Sequence, residues 1–241
     1  MALIPAHVRE AGPGGRAPLD DRCLEAATLR FLRRRSRTRP DLRLIEWQGL
    51  HAVAKDWENA WSLVRTHARC CLDREWRALE ALSDLPGIPR PIARLPHAII
   101  LSLVEGRPLQ HARLRKEQWR TFFEALAACV DRIHARGVVH LDLRQRRNIL
   151  CGPGGQPTVL DFEAALVCDP ARATGRIALR WGRRVDRLAI LKHKARYASM
   201  LLTPRERRLA RIARVLRWAW PSAVLHRARV ALRRLRRGAG S

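Results

Sequence analysis

Three oxygen-bearing side chains stand close together in the second half of the chain: Asp142 in HLDLRQRRNIL, Asn148 six residues later, and Asp161 in VLDFE. This set suits phosphoryl transfer. One carboxylate accepts or orients an attacking hydroxyl, while a second carboxylate and an amide oxygen hold a hard divalent cation against phosphates. The same chemistry needs an upstream ammonium for the α- and β-phosphates and a helix carboxylate to hold it. Lys55 in HAVAKDW and Glu75 in LDREWRALEAL fill those roles, with Glu80 as the fallback partner. Only Lys55, Lys116, Lys192 and Lys194 are lysines among 48 basic residues, so a lysine in an apolar strand marks a place that wants a compact ammonium. Singly, each residue also has a plain structural reading: Asp142 as a turn carboxylate, Asn148 as a loop cap, Lys55 as a strand end.

Positioning these groups falls to a short series of elements. The runs LRLIEW and HAVAKDW flank Gln48-Gly49, the pattern of a hairpin with a glycine turn. Residues 61–82 carry Leu72, Trp76, Leu79 and Leu82 near helical spacing and stop before Ser-Asp-Leu-Pro-Gly. PIARLPHAIILSLVEG reads as a strand pair, with AIILSLV apolar enough to lie inside a sheet. Residues 115–136 form a long helical pattern that ends at Gly137. Short strands follow in VVHLDL, NILC and TVLDF, the last two separated by a turn at 152–155. The order is a small β-rich unit with one helix, a connection, then a mainly helical unit with short strands at its head.

In this order the residues resemble the protein-kinase-like superfamily. The resemblance rests on Val53-Ala54-Lys55, the helix Glu75, His140-x-Asp142 with Asn148, and Asp161-Phe162, and it spans about residues 42–190. The limited helical second lobe makes the chain more similar to the short bacterial branch, with RIO-like and lipopolysaccharide-core (Kdo/heptose) kinases, than to full eukaryotic-type kinases. The resemblance implies an α+β, bilobal protein-kinase-like fold with a small β-rich N-lobe and a reduced, mainly helical C-lobe. It implies ATP and Mg²⁺ between the lobes, Val104, Glu105 and Gly106 as the hinge, and Asp142 as catalytic base. It further implies Asn148 and Asp161 as metal ligands, Arg144 near the transferring phosphate, and Asp186 as an acidic brace beneath the catalytic loop. His140 is expected to pack and hydrogen-bond the loop rather than move protons. The chain departs from the family pattern in four places: no glycine-rich loop precedes Lys55, Asn148 follows Asp142 by six residues instead of five, Glu163 replaces the glycine after Asp161-Phe162, and there is no A-P-E.

The 241 residues are 47% hydrophobic and carry a net charge of +26, which excludes a disordered polymer and calls for an anionic partner. The charge is uneven: +5 in residues 1–40, +2 in 41–170 and +19 in 171–241. A nearly neutral middle disfavours a pure nucleic-acid-binding protein, although RNA binding by the tail stays open. In RERRLARIARVLRWAW, Leu209, Ile212, Ala213, Leu216 and Trp220 share one helical face and arginines take much of the rest; VLHRARVALRRLRR repeats the design. This stripe either packs on the large lobe or lies on an anionic membrane with Trp218 and Trp220 at the interface. No apolar run approaches the length of a membrane span and no export signal is seen, so the expected place is cytoplasmic, peripheral at the inner face of a bacterial inner membrane. The six cysteines show no C-x-x-C spacing and read as reduced thiols. The expected divisions are a loose basic leader with the first N-lobe elements (1–40), the N-lobe (41–105), the reduced C-lobe (106–203) and the basic amphipathic tail (204–241). The function expected is transfer of the ATP γ-phosphate to a lipopolysaccharide-core sugar or a protein Ser/Thr. The alternative is a catalytically weak pseudokinase that binds membrane or RNA through its tail.

Overall fold

Burial that alternates along one apolar run and becomes continuous at the end of the next builds the first layer. β2 (Asp41–Trp47) and β3 (Leu50–Asp56) pair antiparallel across the Gly49 turn, with Leu42 opposite Lys55 and Leu44 opposite Val53. The computed structural model describes residues 21–34, 40–47, 49–58 and 62–219. Within them, β1 (Thr28–Arg33) pairs with β2, and β4 (Pro91–Arg94) and β5 (Ala98–Ser102) complete an antiparallel sheet in the order β1-β2-β3-β5-β4. The short helix α1 (Asp21–Ala26) precedes β1. Neither α1 nor β1 is singled out by the sequence pattern. The leader 1–20, most of the β1–β2 connection and the second tail stretch lie outside the described residues.

α2 (Ser62–Ala81) crosses from β3 to β4 and buries Leu72, Ala78 and Leu79. Glu75 lies within that buried stripe, whereas Glu80, about 140° further round the helix, is exposed. The segment 103–106, which contains Val104, Glu105 and Gly106, leads from the five-stranded sheet to β6 (Arg107–Pro108).

The second layer is organised by α3 (Lys116–Ala135), whose Trp119, Phe122, Phe123, Leu126, Val130 and Ile133 recur at helical spacing and fill the main core. α3 ends as Gly137 takes φ +74, where an added Cβ would sit 2.7 Å from the Cys168 carbonyl. β7 (Val138–Val139) is shorter than VVHLDL suggests: the chain leaves the strand at His140, and His140–Asp142 is loop. β8 (Ile149–Cys151) and β9 (Pro157–Val159) form a hairpin that pairs with β6. β10 (Leu166–Val167) returns alongside β7. α4 (Ala173–Tyr197) closes the lobe and α5 (Pro204–Ala219) packs on it through Lys194 and Glu206, 2.8 Å apart. Leu209 and Ile212 on α5 are half exposed, so this part of the apolar stripe is not packed on the lobe. The five cysteines described are free thiols.

Candidate active site

The five chemistry-bearing residues come from four places in the chain and meet between the two layers. Lys55 sits on β3, in the middle of the sheet, and is buried. Its Nζ donates to Glu75 Oε2 at 2.7 Å and to Asp161 Oδ1 at 2.9 Å, and it lies 2.6 Å from Glu163 Oε1. Burial opposes the Lys55 charge, but Glu75, Asp161 and Glu163 together outweigh it and hold the ammonium well above its ordinary pKa. One positive charge stands against three carboxylates, so the cluster is not neutralised by Lys55 alone. Burial pushes Glu75 up to about 7 in spite of Lys55, whereas Lys55 keeps Asp161 below the usual carboxylate range despite burial. Glu75 also accepts a bond from Phe162 N at 3.3 Å, which ties α2 to the Asp161 segment.

Asp142 and Asn148 converge although six residues separate them. Gln145 N donates to Asp142 O and Asn148 N to Gln145 O, so the short 3₁₀ turn Arg146–Asn148 takes up the additional residue. The Asn148 Nδ2 then donates to both Asp142 O and Asp142 Oδ2, each at 3.1 Å. With its amino group committed, Asn148 keeps its amide oxygen for a cation. Asp161 adds a carboxylate, and its φ of +68 places it and Glu163 on one side of Lys55. These hard oxygen donors fit Mg²⁺. Burial raises the Asp142 carboxyl, partly offset by the bond from Asn148, making it a stronger proton acceptor than a free aspartate.

The loop is held from behind by α4. Asp186 is fully buried and accepts from His140 N, Leu141 N and His134 Nε2 at 2.9, 2.9 and 3.0 Å. Leu141 takes φ +64, one of two non-glycine residues with positive φ among those described; the other is Asp161. His140 donates from Nε2 to Leu160 O at 2.9 Å and accepts Asp142 N at Nδ1, which fixes its tautomer and leaves no nitrogen for proton transfer. His193 donates from Nε2 to Leu143 O at 2.8 Å and Lys192 donates to Arg144 O at 3.0 Å, two further ties that no motif announces. The Arg144 side chain is exposed. The arginine whose charge reaches both Asp142 and Asp161 is Arg147, three residues on. Val104, Glu105 and Gly106 lie in the connection between β5 and β6.

The family model described as the RIO domain matches residues 53–177, more than half of the chain. The segment is similar to CBL-interacting protein kinase 31 of Oryza sativa subsp. japonica, 34% identical over 82 residues, and to CBL-interacting serine/threonine-protein kinase 9 of Arabidopsis thaliana, also 34% over 82. These matches cover 32% of this chain and 18% of those kinases, so the chain spans less than a fifth of their length. Among solved structures, it resembles the Rio2 kinase–ADP/Mg²⁺–phosphoaspartate complex from Chaetomium thermophilum (TM-score 0.54, 16% identity, 76% of this chain and 60% of that one). A second structure of Rio2 kinase from the same organism gives a TM-score of 0.53 at 18% identity, covering 72% and 60%. The fold is the two-lobed, α+β protein-kinase-like fold.

Proposed function

The chain belongs to the RIO domain family, and on that footing we propose that it is an ATP- and Mg²⁺-dependent phosphotransferase that moves the γ-phosphate onto a hydroxyl. The observation that carries the reading is Lys55 Nζ held between Glu75 and Asp161 at 2.7 and 2.9 Å, across the cleft from an Asp142–Asn148 pair. The ADP and Mg²⁺ of the Rio2 complex support the choice of ligands.

Asp142 orients the acceptor hydroxyl and takes its proton; Lys55 binds the non-transferring phosphates, and Glu75 keeps Lys55 in place. Asn148 and Asp161 would hold Mg²⁺, which supplies charge neutralisation on the phosphates. Val104–Gly106 serve the nucleotide base as the hinge, while Arg144 and Arg147 supply positive charge beside the loop. The acceptor class is a lipopolysaccharide-core sugar or a protein Ser/Thr, met at the cytoplasmic face of a bacterial inner membrane, with residues 204–241 on the anionic lipid.

A second reading is a pseudokinase. It is favoured by Glu163, which engages Lys55 at 2.6 Å where the general protein-kinase-like pattern has a glycine. Thermal stability decides between the two, because a ligand that binds only the folded state raises the melting temperature. An ATP- and Mg²⁺-dependent rise that Asp161→Ala abolishes, together with label transfer to lipopolysaccharide core or protein that Asp142→Ala abolishes, supports the phosphotransferase. No shift at millimolar ATP supports the pseudokinase.

A further inference from the structure

The face of α4 that looks away from the catalytic loop carries three exposed apolar side chains that no described element covers. Ile177, Trp181 and Leu188 are 68, 56 and 45% exposed, and their spacing of four and seven residues puts them on one stripe. Arg180 and Arg184 share that face and form no hydrogen bond or ion pair among the described residues; Arg187, at its edge, is engaged by Asp131 at 3.2 Å. A surface tryptophan flanked by an isoleucine, a leucine and unpaired arginines has the chemistry of a helix lying in the boundary of an anionic bilayer. Charge selects the occupant: residues 171–241 carry +19, so a second copy of this chain would be repelled and an anionic lipid surface attracted. Three large apolar side chains standing in solvent favour lipid over RNA, which would be met by cations and stacking planes alone.

We propose that this α4 face, Ile177, Trp181 and Leu188 with Arg180 and Arg184, is a docking surface for an anionic membrane, separate from the tail helix. Its position gives the contact a use. Asp186 is nine residues from Ile177, about two and a half turns, and so points the opposite way, into the loop that carries Asp142. A docked α4 holds the backbone of that loop about one helix diameter, ~10 Å, from the plane of the exposed side chains. α4 stands between the lipid and that loop, so docking anchors the lobe on the membrane without placing headgroups at Asp142. The docking itself does not depend on phosphotransfer.

The test uses the full chain, because α5 packs on α4 through Lys194 and Glu206 and a truncation would disturb both. Sedimentation with phosphatidylcholine vesicles, with and without phosphatidylglycerol, is compared for the parent, Ile177→Ser/Trp181→Ser, Arg180→Ser/Arg184→Ser, and the tail variant Leu209→Ser/Ile212→Ser. All these side chains are exposed, so the melting temperature should hold in every variant. The expected result is binding only to anionic vesicles, weakened about tenfold by each α4 pair. Quenching of tryptophan fluorescence by brominated lipid should fall when Trp181 is replaced by Phe. Parental binding in both α4 variants, an effect confined to the tail variant, no vesicle binding by the parent, or a loss of single-stranded RNA binding instead would each overturn the proposal.

Discussion

Lys55 Nζ lies 2.6 Å from Glu163 Oε1, closer than to either partner that a phosphate-binding lysine requires, Glu75 at 2.7 Å or Asp161 at 2.9 Å. An ammonium has three hydrogens, and here all three face carboxylates. A phosphate oxygen that reaches Lys55 therefore competes with Glu163, the one of the three that stands where the general protein-kinase-like pattern has glycine. Replacing Glu163 by Gln removes a charge-assisted competitor and should tighten ADP binding in the absence of metal by about tenfold. Titration calorimetry with and without Mg²⁺ measures this. Unchanged metal-free affinity would show that Glu163 yields without cost, and a loss seen only with Mg²⁺ would place its carboxylate among the cation's ligands.

Asp186 should be a positioning residue whose loss is felt in both stability and turnover. Its carboxylate accepts three donors, and one of them is the amide of Leu141 at φ +64, a conformation that costs a leucine on the order of 1 kcal/mol or more. Asp186→Asn turns an amino group toward donors that need an acceptor and should cost on the order of 3 kcal/mol. In a Leu141→Gly background the penalty should shrink, because glycine holds positive φ without help. Urea unfolding of the four-member cycle tests the coupling; additive costs would separate Asp186 from the strained loop.

His193 gives the fold an acid-sensitive joint. Burial lowers its pKa to about 4, its Nε2 is committed to Leu143 O, and its buried Nδ1 has no partner. The folded protein keeps it neutral while the unfolded chain takes up a proton below its ordinary 6.5. Stability therefore falls as pH drops from about 6.5 and levels near 4, by on the order of 3 kcal/mol. His193→Gln retains an amide donor for Leu143 and cannot titrate, so its stability curve should be flatter over that window. Parallel curves for parent and variant would assign the acid sensitivity elsewhere.

The parts of this fold that follow hydrophobic period were legible in the sequence. β2 alternates, and α2 and α3 carry stripes of Leu, Trp and Phe at helical spacing. Lys55 and Glu75 could be paired in advance because Glu75 falls in the buried stripe of α2. α4 was not legible as a 25-residue helix: it contains Gly175 and Gly182, and it buries Asp186 and His193 beside Leu179, Ala189, Ile190 and Leu191 while it leaves Ile177 and Trp181 outside. Polar residues inside and apolar ones outside blur the usual stripe. The Glu163 contact depends on the left-handed turn at Asp161, and the placing of Arg147 on the 3₁₀ turn before Asn148. Neither is written in composition or period.

At Gly182, α4 packs directly against Val139 of the strand that leads into the catalytic loop. An added Cβ would stand 2.6 to 2.7 Å from Val139 Cβ and both its methyls, a distance no real packing allows. On helix propensity alone Gly182→Ala should stabilise by about 1 kcal/mol. The clash decides otherwise: overpacking of this kind costs about 1–3 kcal/mol, and it pushes on Val139, the residue directly before His140 and three before Asp142. Gly182→Ala should therefore lower the melting temperature and reduce turnover together. Val139→Ala removes the two methyls nearest the new Cβ, so the double variant should recover part of both losses, which thermal denaturation and an activity assay on the four proteins can read. A stabilised Gly182→Ala would mean that α4 can move away from β7 without strain, and the close approach would then not be what positions the loop.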